Sequence, residues 1–128
     1  VVRTGKLNHP NGACGYRIEF AGKAIAICTD TEHFEDDIDQ NVVSLSQDAD
    51  VMVYDSAYTQ ENYPKFKGWG HSTWQEAVKV AETANVKQTF LFHHDPSHDD
   101  TKMDAIAKEV AKIRSGVRPA VEGEEIEI

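Results

Sequence analysis

Two short apolar runs constrain this chain more than any other feature: VMVY at residues 51–54 and TFLF at residues 89–92. Each follows a helical pattern and stops at a polar residue, Asp55 in the first case and His93 in the second. A run without polar alternation reads as a strand buried on both faces, the habit of strands in an α/β sheet. Upstream, YRIEF alternates, with Tyr16, Ile18 and Phe20 on one face and Arg17 and Glu19 on the other, which is a half-buried strand. Ala21-Gly22-Lys23 turns it and AIAIC brings it back, giving a hairpin.

Helical spacing fills the intervals. Residues 35–47 place Ile38, Val42 and Leu45 on one side. After His71, Trp74, Ala77, Val78 and Ala81 fall at i, i+3, i+4 and i+7, a single apolar stripe. Ser72 with Gln75, or Thr73 with Glu76, supplies a capping-box start for it. Residues 101–114 form a last helix with Met103, Ile106, Ala107, Val110 and Ile113 inward, stopped by Gly116. VRPAV and EIEI read as a terminal strand and tail. The order is hairpin, helix, strand, helix, strand, helix, strand: one α/β domain over residues 1–128. Its helices can cover one face of a mixed sheet, and little chain remains to cover the other.

Composition narrows the function classes. The 128 residues carry a formal charge of -9. That balance argues against a nucleic-acid partner, because a polyphosphate is repelled. A small anionic substrate stays open if a metal supplies positive charge locally. No apolar run approaches the ~20 residues of a membrane span, and no signal segment opens the chain. The expected setting is cytoplasmic, with Cys14 and Cys28 as reduced thiols; they flank the hairpin turn without falling opposite each other. The start at Val1, without an initiator methionine, points to a fragment or a processed product.

The candidate chemistry sits at strand ends. His9 lies in LNHPNG before the hairpin, Asp30 in ICTDT past its second strand, Asp55 at the end of VMVYD, and His93 and His94 at the end of TFLFHH. His71 stands in GHST at a helix start. Polar residues at the carboxyl ends of α/β strands project into the crevice where ligands bind. Imidazole and carboxylate together suit zinc, manganese or iron. Any one of these residues alone is commonly a turn or cap residue; their joint placement is what singles them out. His33 and His98 read as surface residues, and His94 as a surface residue or a support behind the site.

In this ordered set the sequence resembles the C-terminal half of a metallo-β-lactamase-fold metallohydrolase, closest in motif to the phosphodiesterase and tRNase Z branch. The resemblance runs from LNHPNGACGYRIEF to about Arg114. TDT resembles the strand-end aspartate that bridges two metals, which implies Asp30. LNHP resembles the histidine ligand shortly before a hairpin, which implies His9, and LFHHD the last histidine ligand, which implies His93. VYDSAYT followed by GHST resembles a paired acid and histidine beside the leaving group, which implies Asp55 and His71 as catalytic residues.

The family fold is a four-layer αββα sandwich, and this chain resembles one half of it, a mixed sheet with helices on one face. The family's HxHxDH ligand motif is absent from these residues. The resemblance therefore implies half of a dinuclear hydrolase for small phosphodiesters, inactive until an HxHxDH-bearing segment completes it, with its metal sites empty in this chain alone. A homo-oligomer or a pairing with that N-terminal half is the expected partner. A non-catalytic half-fold serving as an oligomerising or binding module is the alternative. A lactonase or thioesterase on the same fold is a third option, because a fold does not set the substrate.

Overall fold

The computed structural model describes residues 1–128. Strands β1 (Val2–Leu7), β2 (Ala13–Phe20) and β3 (Lys23–Cys28) form an antiparallel meander. Strands β4 (Val51–Asp55), β5 (Gln88–Phe92) and β6 (Val117–Pro119) then join in turn, each parallel to its predecessor. The sheet order is simply β1 to β6. The parallel steps are bridged by α1 (Gln40–Ser46), α2 (Trp74–Thr83) and α3 (Asp100–Ile113).

A strand order that never reverses has a strong consequence. Parallel crossovers are right-handed, so every helix must land on the same side of the sheet. One buried cluster accordingly joins Val42 and Leu45 of α1, Ala77, Val78 and Ala81 of α2, and Ile106 and Val110 of α3. Their counterparts on the strands are Ala26 and Cys28 of β3, Met52 and Tyr54 of β4, and Leu91 of β5. Gly15 lets α1 approach β2: a Cβ there would lie 2.8 Å from Leu45 Cδ1.

Three sequence expectations are corrected. β1 was not foreseen, because VRTGKL is an edge strand with only Leu7 buried and shows no apolar alternation. The first helix begins at Gln40 instead of residue 35; Asp39 Oδ1 caps it by accepting from Asn41 N at 2.9 Å. The chain before that cap is irregular, and Thr31 and Glu32 are buried there. The second sheet face is not left wholly to solvent either. Ala120, Val121, Ile126 and Ile128 lie along Ile25, Ile27, Val53 and Phe90, around a cleft of about 470 Å³. The terminal strand is Val117–Pro119, EIEI is a tail that forms part of this cover, and Phe20 and Phe92 stay exposed. Of the two capping boxes, the protein uses Thr73–Glu76, with Thr73 Oγ1 accepting from Glu76 N at 3.3 Å.

The amino ends of the central strands are tied by one carboxylate. Asp50 accepts from Lys87 Nζ at 2.7 Å and from Ala24 N at 2.9 Å, with Lys23 Nζ at 3.7 Å. The Lys87 bond first, then the Ala24 amide, holds its carboxyl down at about 2. A folded pKa below the unfolded value gives stability that is present above the unfolded pKa and is lost as pH falls through the folded one. Asp50→Asn should therefore melt lower than the parent at neutral pH, and thermal melts should show the gap closing between about pH 4 and about pH 2.

Candidate metal centre

The carboxyl ends of β3, β4 and β5 converge. Asp30 follows β3, Asp55 ends β4 and His93 follows β5, while His71 comes from the turn before α2. One ligand atom from each of these four lies within 4.8 Å of the other three. A tetrahedral ion with bonds of about 2.1 Å holds its donors roughly 3.4 Å apart. The four donors are thus gathered close to the spacing a divalent ion needs; Asp30 and His93, partly exposed, are the pair open to one, while the Asp55 oxygens are filled by hydrogen bonds.

Asp55 is the anchor. Its side chain is fully buried, and Oδ2 accepts from His71 Nδ1 at 2.8 Å and from Thr31 N at 3.1 Å. Oδ1 accepts from Ser72 N at 3.2 Å and Ala57 N at 3.3 Å. Burial pushes the carboxyl up from its ordinary range, and the bonds from His71, Ser72 and Thr31 oppose that rise without cancelling it. With Nδ1 committed to Asp55, Nε2 is the His71 nitrogen left for other chemistry.

Asp30 and His93 form the second pair, Oδ1 to Nδ1 at 2.9 Å, and each is partly exposed. His93 takes a left-handed backbone, φ 59°, a conformation that costs a non-glycine residue roughly 1–2 kcal/mol. Such strain gathers at functional positions. The His93 ring stacks on His71 with centroids 4.5 Å apart and planes 19° apart. The two acid–imidazole pairs therefore lie side by side.

His9 sits beside this group and outside the cluster of four. Its ring meets His71 edge-on at 5.7 Å, and its Nδ1 accepts from Asn11 N at 3.3 Å. His94 points elsewhere, lining a cleft with Asp100, Met103 and Arg118, and burial lowers its pKa. His33 is not a surface residue: it is half-buried, with Nδ1 2.9 Å from Ser72 Oγ and its ring 4.3 Å from that of Tyr63. His98 is likewise only partly exposed, its Nδ1 buried without a partner.

Sequence reasoning also passed over Glu32. Burial alone would raise its carboxyl, yet the Gly68 amide, the Tyr63 hydroxyl and the Gly70 amide together hold it below the ordinary range. The signal available was an acidic residue two places after the strand-end aspartate, in a stretch with no helical period.

Comparison with known proteins agrees with this geometry. Residues 2–94 match the family model of the beta-lactamase superfamily domain. Ribonuclease Z of Sulfurisphaera tokodaii is 37% identical over 105 residues, 79% of this chain and 33% of that protein. Ribonuclease Z of Acaryochloris marina is 31% identical over 101 residues, 75% of this chain and 31% of that protein. Among solved structures, the metallo-beta-lactamase fold protein YhfI from Bacillus subtilis superposes with a TM-score of 0.77 at 20% identity, over 96% of this chain and 48% of that one. The short form of human tRNase Z gives a TM-score of 0.75 at 23% identity, over 100% of this chain and 42% of that one. The chain thus spans about a third of the length of these curated relatives.

The relatives overturn one expectation. A nucleic-acid partner was set aside on net charge, yet the curated relatives are ribonucleases. Net charge sums the whole surface, including acidic stretches such as EGEE at residues 122–125, and so does not describe the local field at any one site. No helix is long and apolar enough to cross a membrane.

Gly70 links His9 to the His71 turn. Its φ is +94°, and a Cβ there would collide with the His9 ring and lie 2.7 Å from Pro10 Cδ. Gly70→Ala is expected to lower stability by about 1–3 kcal/mol and to displace the imidazole. Chemical denaturation checks the first effect, and a shift of the His9 ring signals in NMR spectra checks the second.

Proposed function

Because this chain belongs to the β-lactamase superfamily, with a metallo-β-lactamase fold, we propose that it is the C-terminal, site-bearing part of a dinuclear metal-dependent phosphodiester hydrolase. The observation that carries this reading is the Asp55–His71 pair, bonded at 2.8 Å and stacked against the Asp30–His93 pair. The ribonuclease relatives support including RNA in the substrate class. A binding module gains nothing from burying a carboxylate to orient an imidazole, so the catalytic reading is preferred to a non-catalytic half-fold.

Asp30 and His93 would hold the metal, and His9, whose ring lies edge-on to that of His71, would be the third ligand this chain offers. Three protein ligands are too few to close two coordination spheres, so the remainder belong to a segment outside these 128 residues. When bound, the ions, zinc by donor chemistry or else manganese or iron, neutralise phosphoryl oxygens and lower the pKa of water. His71 donates its Nε2 proton to the departing oxygen. Asp55 holds the ring through Nδ1 and stabilises the charged imidazolium before the proton is given up. The stacking of His71 on His93 keeps the acid beside the metal-site histidine.

Two measurements test this. Elemental analysis of the dialysed 128-residue chain should find well under two metals per chain; two tightly held ions would contradict the ligand count. In the metal-loaded, completed hydrolase, His71→Ala should lower kcat on an alkyl phosphodiester by about 10²–10⁴-fold. A nitrophenyl phosphodiester, whose leaving group needs no proton, should recover much of that loss at unchanged metal content. Asp55→Asn should resemble His71→Ala, and Asp30→Ala should lose metal and activity together. Equal losses on both substrates would remove the general-acid role.

A further inference from the structure

Glu32 is almost fully buried, at 8% exposure, and no lysine or arginine pairs with it. Its carboxylate is filled instead by three donors from one segment. Oε1 accepts from the Tyr63 hydroxyl at 2.6 Å and from Gly68 N at 2.7 Å, and Oε2 accepts from Gly70 N at 2.9 Å. Both glycines have positive φ, +86° and +94°, a backbone that only glycine adopts without cost. Hydrogen bonds from N–H to a carboxylate are roughly twice as strong as neutral ones. This segment ends at Gly70, and the next residue is His71.

The grip has a second half. On the far side of the same turn, Asp55 accepts from Ser72 N at 3.2 Å and from the His71 ring at 2.8 Å. Residues 70–72 are thus suspended between two carboxylates. Thr31 joins these supports through the backbone, its N–H donating to Asp55 Oδ2 at 3.1 Å. Glu32 also fixes the approach to His9: its N–H donates to Asn8 O at 2.8 Å, and Asn8 Nδ2 donates to Glu32 O at 3.0 Å. One residue, two places after Asp30, therefore sets the backbone on which both His9 and His71 stand.

We propose that Glu32 is a positioning residue that sets the His71 imidazole against the Asp30–His93 pair, acting through the Gly68 and Gly70 amides without touching substrate. The inference rests on the reading of His71 as the general acid. A residue that merely steadied a surface loop would affect melting and little else. A positioning residue controls the ring, and a misplacement of about 1 Å at a catalytic group can cost roughly 10²-fold in rate.

The test compares Glu32→Gln and Glu32→Asp with Tyr63→Phe, which removes one donor and leaves both amides on the carboxylate. In the 128-residue chain, NMR reads amide exchange at Gly68 and Gly70 and the His71 ring nitrogens. In the completed, metal-loaded hydrolase, kinetics compare alkyl and nitrophenyl phosphodiesters. Glu32→Gln should speed exchange at both glycines and broaden the His71 Nδ1 proton signal. It should lower kcat on the alkyl substrate by roughly 10²-fold, with the nitrophenyl rate, KM and metal content little changed. Glu32→Asp should fall between, and Tyr63→Phe should stay near the parent. If Glu32→Gln does not fold, Glu32→Asp decides by the same readouts. Parental His71 signals and a parental substrate ratio would overturn the proposal, even alongside a lower Tm. If His71→Ala itself shows no leaving-group preference, the general-acid reading fails, and the ring signals still report whether Glu32 places His71.

Discussion

The site depends on a carboxylate with no access to water. Burying an ionised Asp55 would cost several kcal/mol without partners, and the fold supplies four hydrogen bonds to it. They come from the loop after β3, from the residues just past β4 and from the turn before α2. Those segments are far apart in sequence and meet only because β4 lies between β3 and β5 in the sheet. Satisfying Asp55 therefore also brings Thr31, next to Asp30, against Ser72, next to His71. The cluster of acids and imidazoles is a consequence of that requirement, with His93 added by the neighbouring strand.

The sheet order shapes the rest. Six strands in sequence order, with right-handed crossovers, put α1, α2 and α3 on one side and leave the other side to whatever chain remains. Here the residues after β6 lie across part of it. The two faces are consequently unequal: one is closed by helices that also aim the site's loops, and the other is apolar and incompletely covered. The site stands at the edge common to both, which is why residues on that edge alone assemble it.

Much of this was legible beforehand, for identifiable reasons. The strands at 51–54 and 89–92 are buried except at Phe92, which is exposed, and Val53, which is half-buried, and such burial writes itself into sequence as unbroken apolar runs. The α2 start was readable because a capping box is a local interaction, although the choice of Thr73 over Ser72 was not. The Ser72 hydroxyl is drawn away by non-local bonds with His33 Nδ1 and the Tyr54 hydroxyl. β1 was invisible because an edge strand is held by backbone bonds, and backbone bonds leave no side-chain pattern. Asp30, Asp55, His71 and His93 could be named from their places at element ends; the Asp55–His71 pair came only through the family resemblance, and the Asp30–His93 pair not at all, since which acid faces which imidazole depends on register. Glu32 and His33 escaped for the same reason: their partners are 30 or more residues away.

β4 carries aspartates at both ends, and the contrast between them separates stability from function. Asp50, just before the strand, meets Lys87 and Lys23 and one amide. Its charge is balanced by cations within the chain, so that end of the sheet is electrostatically complete. Asp55, closing the strand, meets only backbone N–H groups and an imidazole, and burial raises its carboxyl where lysine lowers that of Asp50. Asp30 and Glu32 beside it also lack a lysine or arginine partner. A fixed cation here would have completed a structural ion pair and neutralised the site for good. With imidazoles in that place, balance is left to species that come and go: a proton on histidine, or a divalent cation among the acids. The same residue type on the same strand thus locks one end of the sheet and keeps the other chemically open, and the difference lies entirely in which donors the fold brings to it.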